Sequence, residues 1–318
     1  MPMLGRREGS VALAIAALFV VLALAAPGFF TRGNLADLFL ANLPVLIAAL
    51  GMTLVILTGH IDISVGSVFA ICAVASGLLA KAGAPIVVVG IAACAIGALL
   101  GALNGGLVAY VRIPSIVVTL ATMVALRDGL RWATEGAWIQ DLPLSYQWLG
   151  TSARTYPVIV TAIVFALLAG LAWGLRHLAA GRAVYATGSS VDAARLAGVR
   201  TLEVTFWVFV ASGALTGLAA VLNSVRFNQI PSNTGLGLEL KVIAAVIVGG
   251  TAITGGRGTA VGTLLGVILL GAIGPALTFL GVSAYWERAI QGGIILTAVA
   301  ADAVRPRLQA RAGVAQVA

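Results

Sequence analysis

The few ionisable and amide side chains of this sequence stand in apolar or glycine-rich surroundings, which narrows the chemistry open to each. Asp62 lies in GHIDISVGS, directly before an apolar stretch. Its carboxylate is placed to accept backbone N–H groups of Ser64 or Val65 at a helix start, with a proton or substrate site as the alternative. At a bilayer centre a lone carboxylate costs about 2.5 to 3.5 kcal/mol, so a helix end is the cheaper position. Asn42, Asn104 and Asn223 sit within apolar runs, where an amide either bonds a neighbouring helix or lines a polar path. Glu239 and Lys241 open another apolar run. They read as an interfacial anchor, or as the mouth of a path for a polar solute.

Several chemistries are excluded. Lys81 and Lys241 are the only lysines, so no GxxxxGK[ST] phosphate loop exists and ATP is not bound in that manner. His60 and His177 cannot form an HExxH pair, and no GxSxG turn is present. Cys72 and Cys94 lie in apolar runs and read as buried thiols. No catalytic residue, metal site or cofactor is expected.

The elements that must position these residues follow from composition. Of 318 residues, 60% are hydrophobic and 9% charged, and mean hydropathy is +1.07. A soluble domain carries about 25% charged residues, so the expected fold is an all-α polytopic membrane protein in a lipid bilayer. The net charge of +8 lies mostly in short loops and tails, where orientation explains it; nucleic-acid binding is not supported. A spanning helix needs about 20 apolar residues. Ten candidates lie near 11–27, 41–58, 63–80, 85–110, 114–130, 157–175, 205–223, 240–254, 258–280 and 286–304. A single permease-like bundle of about 10 (8 to 10) spans is expected over residues 1–318, with 63–80 and 240–254 as the candidates for broken or re-entrant helices. Arg6 and Arg7 before an apolar run ending at Pro27 resemble a signal peptide, but the run is read as the first span.

The polar interruption at 176–204 is too long for a plain connector. Arg182 to Thr187 is expected as a short helix stopped by Gly188. Ser189 would cap a second one with Asp192 at capping-box spacing, and Gly198 would end it in a left-handed turn. Arg176, Arg182, Arg195 and Arg200 place this segment in the cytoplasm by the positive-inside rule. An internal N-terminus and ten crossings also bring Arg305, Arg307 and Arg311 inside, giving cytoplasmic tails at 1–10 and 305–318. The same count sends 131–156, with Trp132, Trp138, Tyr146 and Trp148, to the opposite membrane interface. Gly97, Gly101 and Gly105, and likewise Gly258, Gly262 and Gly266, repeat every four residues as close-packing faces. VILTGHIDISVGS from Val55 also echoes VIVGGTAITGGRGT from Val246.

Four motifs, in order, carry a family resemblance: IDISVGS at 61–67, LNGGLVAYVRIPSIVVTLAT at 103–122, Gly181 with RAVYATGSSVDAARLAGVRT at 182–201, and GLELKVIAAVIVGGTAITGGRGTAVGTLLG at 237–266. With them the chain resembles the membrane permease of bacterial ABC sugar importers of the ribose, xylose and rhamnose type. FNQIPSNTGLGLELK at 227–241 and WIQDLP at 138–143 are similar to permeases for rhamnose and autoinducer-2. The resemblance implies a non-catalytic inner-membrane subunit that imports one of these or a related pentose or hexose. Its partners would be a cytoplasmic ABC ATPase, a periplasmic sugar-binding protein and a second permease copy or paralogue. Gly181, Arg182, Tyr185, Ala186, Gly188, Ala193, Ala194, Arg195, Leu196 and Gly198 match the family's ATPase-coupling segment, which also holds Asp192. The rival class is a proton-coupled secondary transporter of a small polar solute, with Asp62 or Glu239 carrying protons.

Overall fold

Within a bilayer, backbone N–H and C=O groups find no water, so a long apolar chain satisfies them internally by coiling into helices. The computed structural model describes residues 6–151, 155–283 and 285–297. Arg305, Arg307, Arg311, the tail 305–318 and the side chains of Arg6, Arg7 and Trp148 lie outside the described residues. The α-helices are α1 (Arg6–Ala25), α2 (Arg32–Leu57), α3 (Val65–Lys81), α4 (Ile86–Ala109), α5 (Ser115–Ala133) and α6 (Leu144–Thr151). They continue as α7 (Thr155–His177), α8 (Ala179–Ser189), α9 (Val191–Leu196), α10 (Thr201–Ser224), α11 (Leu238–Val248) and α12 (Ala260–Phe279). Residues 286–297 are helical as well.

Among the described residues, α1, α2, α4, α7, α10 and α12 are each long and apolar enough to cross a membrane. The other expected spans are helical but different in kind. α3 has 17 residues, and α5 carries Arg127, Asp128 and Arg131. α11 has only 11 residues, about 16 Å at 1.5 Å per residue, which is half a membrane.

α2 is the axis of the bundle. Leu46, Ile47, Leu50, Met52, Val55, Ile56 and Leu57 on all its sides are buried, as expected of a helix apolar all round. α4 and α10 pack backbone to backbone. A Cβ on Gly97 would overlap the Gly213 carbonyl oxygen, and one on Gly101 would overlap that of Phe209. The second glycine stripe divides. Gly262 and Gly266 set α12 against Gly249 and Ala245 of α11, while Gly258 lies before α12 and packs on Thr251.

The chain leading into α11 is not helical. An added Cβ on Gly77 of α3 would meet Ile230 at 2.8 Å, and one on Gly66, about three turns earlier on α3, would meet the Gly235 carbonyl oxygen at 2.6 Å. Residues 230–235 therefore run along α3 as irregular backbone, with Ile230 buried and Asn233 exposed. Arg127 holds this stretch: its guanidinium donates to Ser67 Oγ at 3.3 Å and to the carbonyls of Thr234 and Gly235 at 3.5 Å. At the same end of the bundle, Ile139 and Ile230 exchange backbone bonds of 2.8 and 3.0 Å. Tyr146 there is buried, its hydroxyl 2.5 Å from Ser224 Oγ, whereas Trp132 and Trp138 are exposed.

Candidate functional site

The segment between α7 and α10 folds as two short helices, with boundaries that correct the reading from sequence. α8 begins at Ala179 and runs through Gly188 to Ser189. Gly188 is thus helical rather than a stop, and its missing side chain serves contact. A Cβ there would overlap the Leu57 carbonyl oxygen and stand 2.6 Å from the Gly256 nitrogen. The cap of α9 is Ser190, whose hydroxyl accepts the Ala193 N–H at 3.3 Å, with Asp192 in the first turn. Gly198 does take the left-handed conformation, φ 81°.

Two surfaces result. Gly181 packs against Leu175 of α7, Ala186 is half-buried, and Tyr185 donates its hydroxyl to the Gly258 carbonyl at 2.7 Å. Burial pushes the Tyr185 phenol up. Facing outward are Arg182, which donates to the His177 carbonyl at 3.0 Å, and Asp192, Ala193, Arg195 and Leu196. Leu196 is 92% exposed at the tip of α9, while Ala194 beneath it is buried.

The inner surface of α8 rests on the two turns whose sequences echo one another. Gly256 N–H donates to the Leu57 carbonyl at 2.9 Å, and a Cβ on Gly255 would stand 2.7 Å from the Gly59 nitrogen and 3.0 Å from Gly188. The turn after α2 and the turn after α11 thus meet each other beneath α8. Gly255 and Gly256, at φ 85° and 71°, supply left-handed backbone that other residues adopt only at a cost.

From that turn α11 leads to a cavity of about 610 Å³ around its opposite end. Pro44, Asn223, Thr234, Lys241, Glu287, Arg288 and Gln291 are among its walls. Gln291 donates to Glu287 at 3.0 Å, and Arg288 lies against Gly237, the residue capping α11. Donors and an acceptor thus surround a space large enough for a small organic solute.

A family match decides what kind of chain this is. Residues 34–299 match the family described as the branched-chain amino acid transport system / permease component. The chain belongs to that family. This permease is 36% identical over 296 residues, 93% of its own length and 84% of the relative's, to the autoinducer 2 import system permease protein LsrC of Yersinia pseudotuberculosis (strain YPIII). The LsrC proteins of Yersinia pseudotuberculosis (strain IP 31758) and Yersinia pestis (strain Pestoides F) match to the same extent. No solved structure matches the chain. Family membership makes the permease a transport subunit rather than an enzyme.

The five polar residues singled out as pathway candidates occupy four different places in the permease. Asn223 lines the 610 Å³ cavity. Glu239 is buried in the first turn of α11, accepting the Gly237 N–H at 3.1 Å, while its other oxygen is without a hydrogen-bond partner. Asp62 and Asn104 come together through Ser64. Asp62 accepts the Ser64 N–H at 2.9 Å and hydroxyl at 2.6 Å, and the Asn104 amide donates to that hydroxyl at 2.8 Å. Asn42 donates to the Leu38 carbonyl and faces Gly271 of α12. Missing from the sequence reading were Arg127, Glu287, Arg288 and Gln291. For Arg127, Glu287 and Arg288 the signal was present, since charges inside apolar candidate spans are costly and mark functional positions; the uncharged Gln291 carried none.

Proposed function

We propose that the permease forms the membrane pathway of an ATP-driven ABC importer for a small carbohydrate. It sits in the bacterial inner membrane with both termini and the α8–α9 pair in the cytoplasm. ATP is hydrolysed on a separate cytoplasmic ATPase that seats on α8 and α9. A periplasmic binding protein delivers the sugar, and a second copy or a paralogue completes the path. The observation that carries this reading is the route from α8 through the Gly255–Gly258 turn into α11, whose far end opens on the polar cavity. A partner that binds one position of α8 better than another shifts the population of the attached half-helix, and with it the shape of the cavity.

The substrate class rests on two supports. Relatives that are 36% identical bear the name autoinducer 2 import permease, and the cavity mixes donors with the Glu287 carboxylate. A polyol, each of whose hydroxyls both donates and accepts, suits that lining. We assign Asn223, Lys241, Glu287, Arg288 and Gln291 to the sugar path, with Glu239 fixing the start of α11. Asp62 and Asn104 hold the turn before α3, and Asn42 packs α2 on α12.

The test is uptake of labelled rhamnose and autoinducer-2 into proteoliposomes holding the permease, its ATPase and the binding protein. Uptake that needs ATP and survives a protonophore is the expected result. ATP-independent uptake that collapses with the proton gradient would instead establish the secondary transporter.

A further inference from the structure

A second cavity, of about 430 Å³, lies at the α8–α9 end between the α4–α5 turn, the α8–α9 junction and the start of α10. The route from α8 to the sugar path does not pass through it. His60, Arg112 and Arg195 are among its walls, and no Asp or Glu is. Of the nearby carboxylates, Glu203 pairs with Arg200 at 3.2 Å, Asp62 accepts from Ser64, and Asp192 is exposed on α9 three residues before Arg195. Two long helices start on the cavity, α5 at Ser115 and α10 at Thr201. Each presents the positive end of its dipole to the cavity, although the Thr201 N–H already donates to the Val199 carbonyl and the Val117 N–H to that of Pro114. Thr187, another wall residue, is buried with a hydroxyl that has no hydrogen-bond partner. Arg112 is held at φ 64°, a left-handed conformation uncommon for non-glycine residues and shared in the described residues by Glu135 and Asp141.

We propose that this cavity binds a phosphate group between the Arg112 and Arg195 guanidiniums at the starts of α5 and α10. Guanidinium forks match phosphate oxygens in pairs, and helix starts add backbone donors aimed the same way. Two sources carry that chemistry: a phospholipid headgroup and a small soluble phosphate. Occupancy ties Arg195 of α9 to the α4–α5 turn, so the bound anion favours one position of the ATPase seat. That regulatory consequence rests on the coupling role proposed above; the site itself does not.

Binding is measured on the full chain in phosphate-free lauryl maltoside. Inorganic phosphate is followed by ³¹P line broadening, and dioleoyl phosphatidylglycerol by native mass spectrometry. Saturable binding of either probe is expected, weakened about tenfold by Arg112→Gly or Arg195→Gln through loss of a charge-assisted bond. Glycine accepts φ 64°, so Arg112→Gly removes the charge while preserving the backbone, which thermal unfolding verifies. Phosphatidylglycerol binding without phosphate binding assigns the lipid headgroup, and binding of both assigns a site that takes the free anion. Failure of both probes to bind the native chain, or equal binding by native and Arg112→Gly chains, overturns the proposal. Loss of phosphate binding in Arg112→Gly with ATP-driven uptake intact would separate this site from the import reading.

Discussion

Tyr185 in α8 donates its hydroxyl to the carbonyl of Gly258 at 2.7 Å. The bond joins α8 to the turn between α11 and α12, and it stands beside the contact of Gly188 with Leu57 and Gly256. One hydrogen bond and one close backbone contact thus fasten α8 to the root of the half-helix that borders the polar cavity. Movement imposed on α8 reaches α11 directly through them, while α7, α10 and α2 also border α8.

Tyr185→Phe keeps the ring and removes the bond, a loss of about 1 kcal/mol. ATP-driven uptake should fall several-fold while the ATPase still co-purifies. Uptake equal to the native rate would take this bond out of the route. Because burial raises the Tyr185 phenol, its proton is retained below the ordinary tyrosine range near pH ~10. The sign follows: the bond persists at low and neutral pH and is lost only in strong alkali. Replacing Tyr185 should therefore leave the pH profile of uptake between about 6 and 8 unchanged in shape.

Gly188→Ala places a methyl group against the Leu57 carbonyl and Gly256. Overpacking of this kind costs about 1 to 3 kcal/mol, and here the cost falls on the seat of α8. The variant should insert normally, as judged by membrane yield, yet lose at least tenfold in uptake. Arg182→Glu should likewise remain inserted while uncoupling uptake. Native transport by both variants would contradict the coupling role.

Gly97→Ala and Gly106→Ala form a matched pair on α4. The first drives a methyl group into the Gly213 carbonyl on α10, whereas Gly106 has no atom within 4 Å of an added Cβ. Thermal unfolding in detergent should show Gly97→Ala destabilised by about 1 to 3 kcal/mol. Gly106→Ala should be neutral or stabilised by up to ~1 kcal/mol from helix propensity. Equal unfolding temperatures would deny that α4 and α10 meet along this stripe.

Asp62→Asn tests the rival transporter. The side chain retains an oxygen that can accept from Ser64, so the turn before α3 should hold. ATP-driven uptake should stay above half the native rate and remain insensitive to a protonophore. Complete loss of uptake in a stably folded variant would point to a proton-carrying carboxylate.

The sequence revealed the helices better than the contacts between them. Apolar length marks a span strongly because a bilayer has a fixed thickness, and each of the ten expected segments contains a helix, although the one at 240–254 is helical only to Val248. The shortness of α11 was legible as a shortage of apolar residues; that Ile230 and Gly235 lie beside α3 depends on a partner helix distant in the chain. Gly188 read as a helix stop because glycine commonly ends helices. Its actual reason lies in Leu57 and Gly256, which no local pattern points to. Ser189 and Ser190 offer the same capping chemistry one residue apart, and the start of α9 selected the second. Asp62 was read as accepting from Ser64 or Val65, and of the two it is Ser64 that donates, across only two residues. Asn104 joins them only because α4 packs beside the turn. The cavity was harder still: Glu287 and Arg288 belong to a run read as plain membrane helix, and only the fold places them opposite Lys241.

The central claim is that the outward face of α8 and α9 seats an ATPase, and Leu196, 92% exposed at the tip of α9, tests it most directly. With Leu196→Cys introduced, a short thiol crosslinker is applied to native membranes; Cys72 is buried and Cys94 half-buried, so the new thiol dominates. Mass spectrometry of the purified adduct should identify a phosphate-loop ATPase joined at position 196, with the crosslink lost when excess purified ATPase competes. A chain that crosslinks to no ATPase at Leu196→Cys, while still transporting sugar at the native rate, would contradict the account.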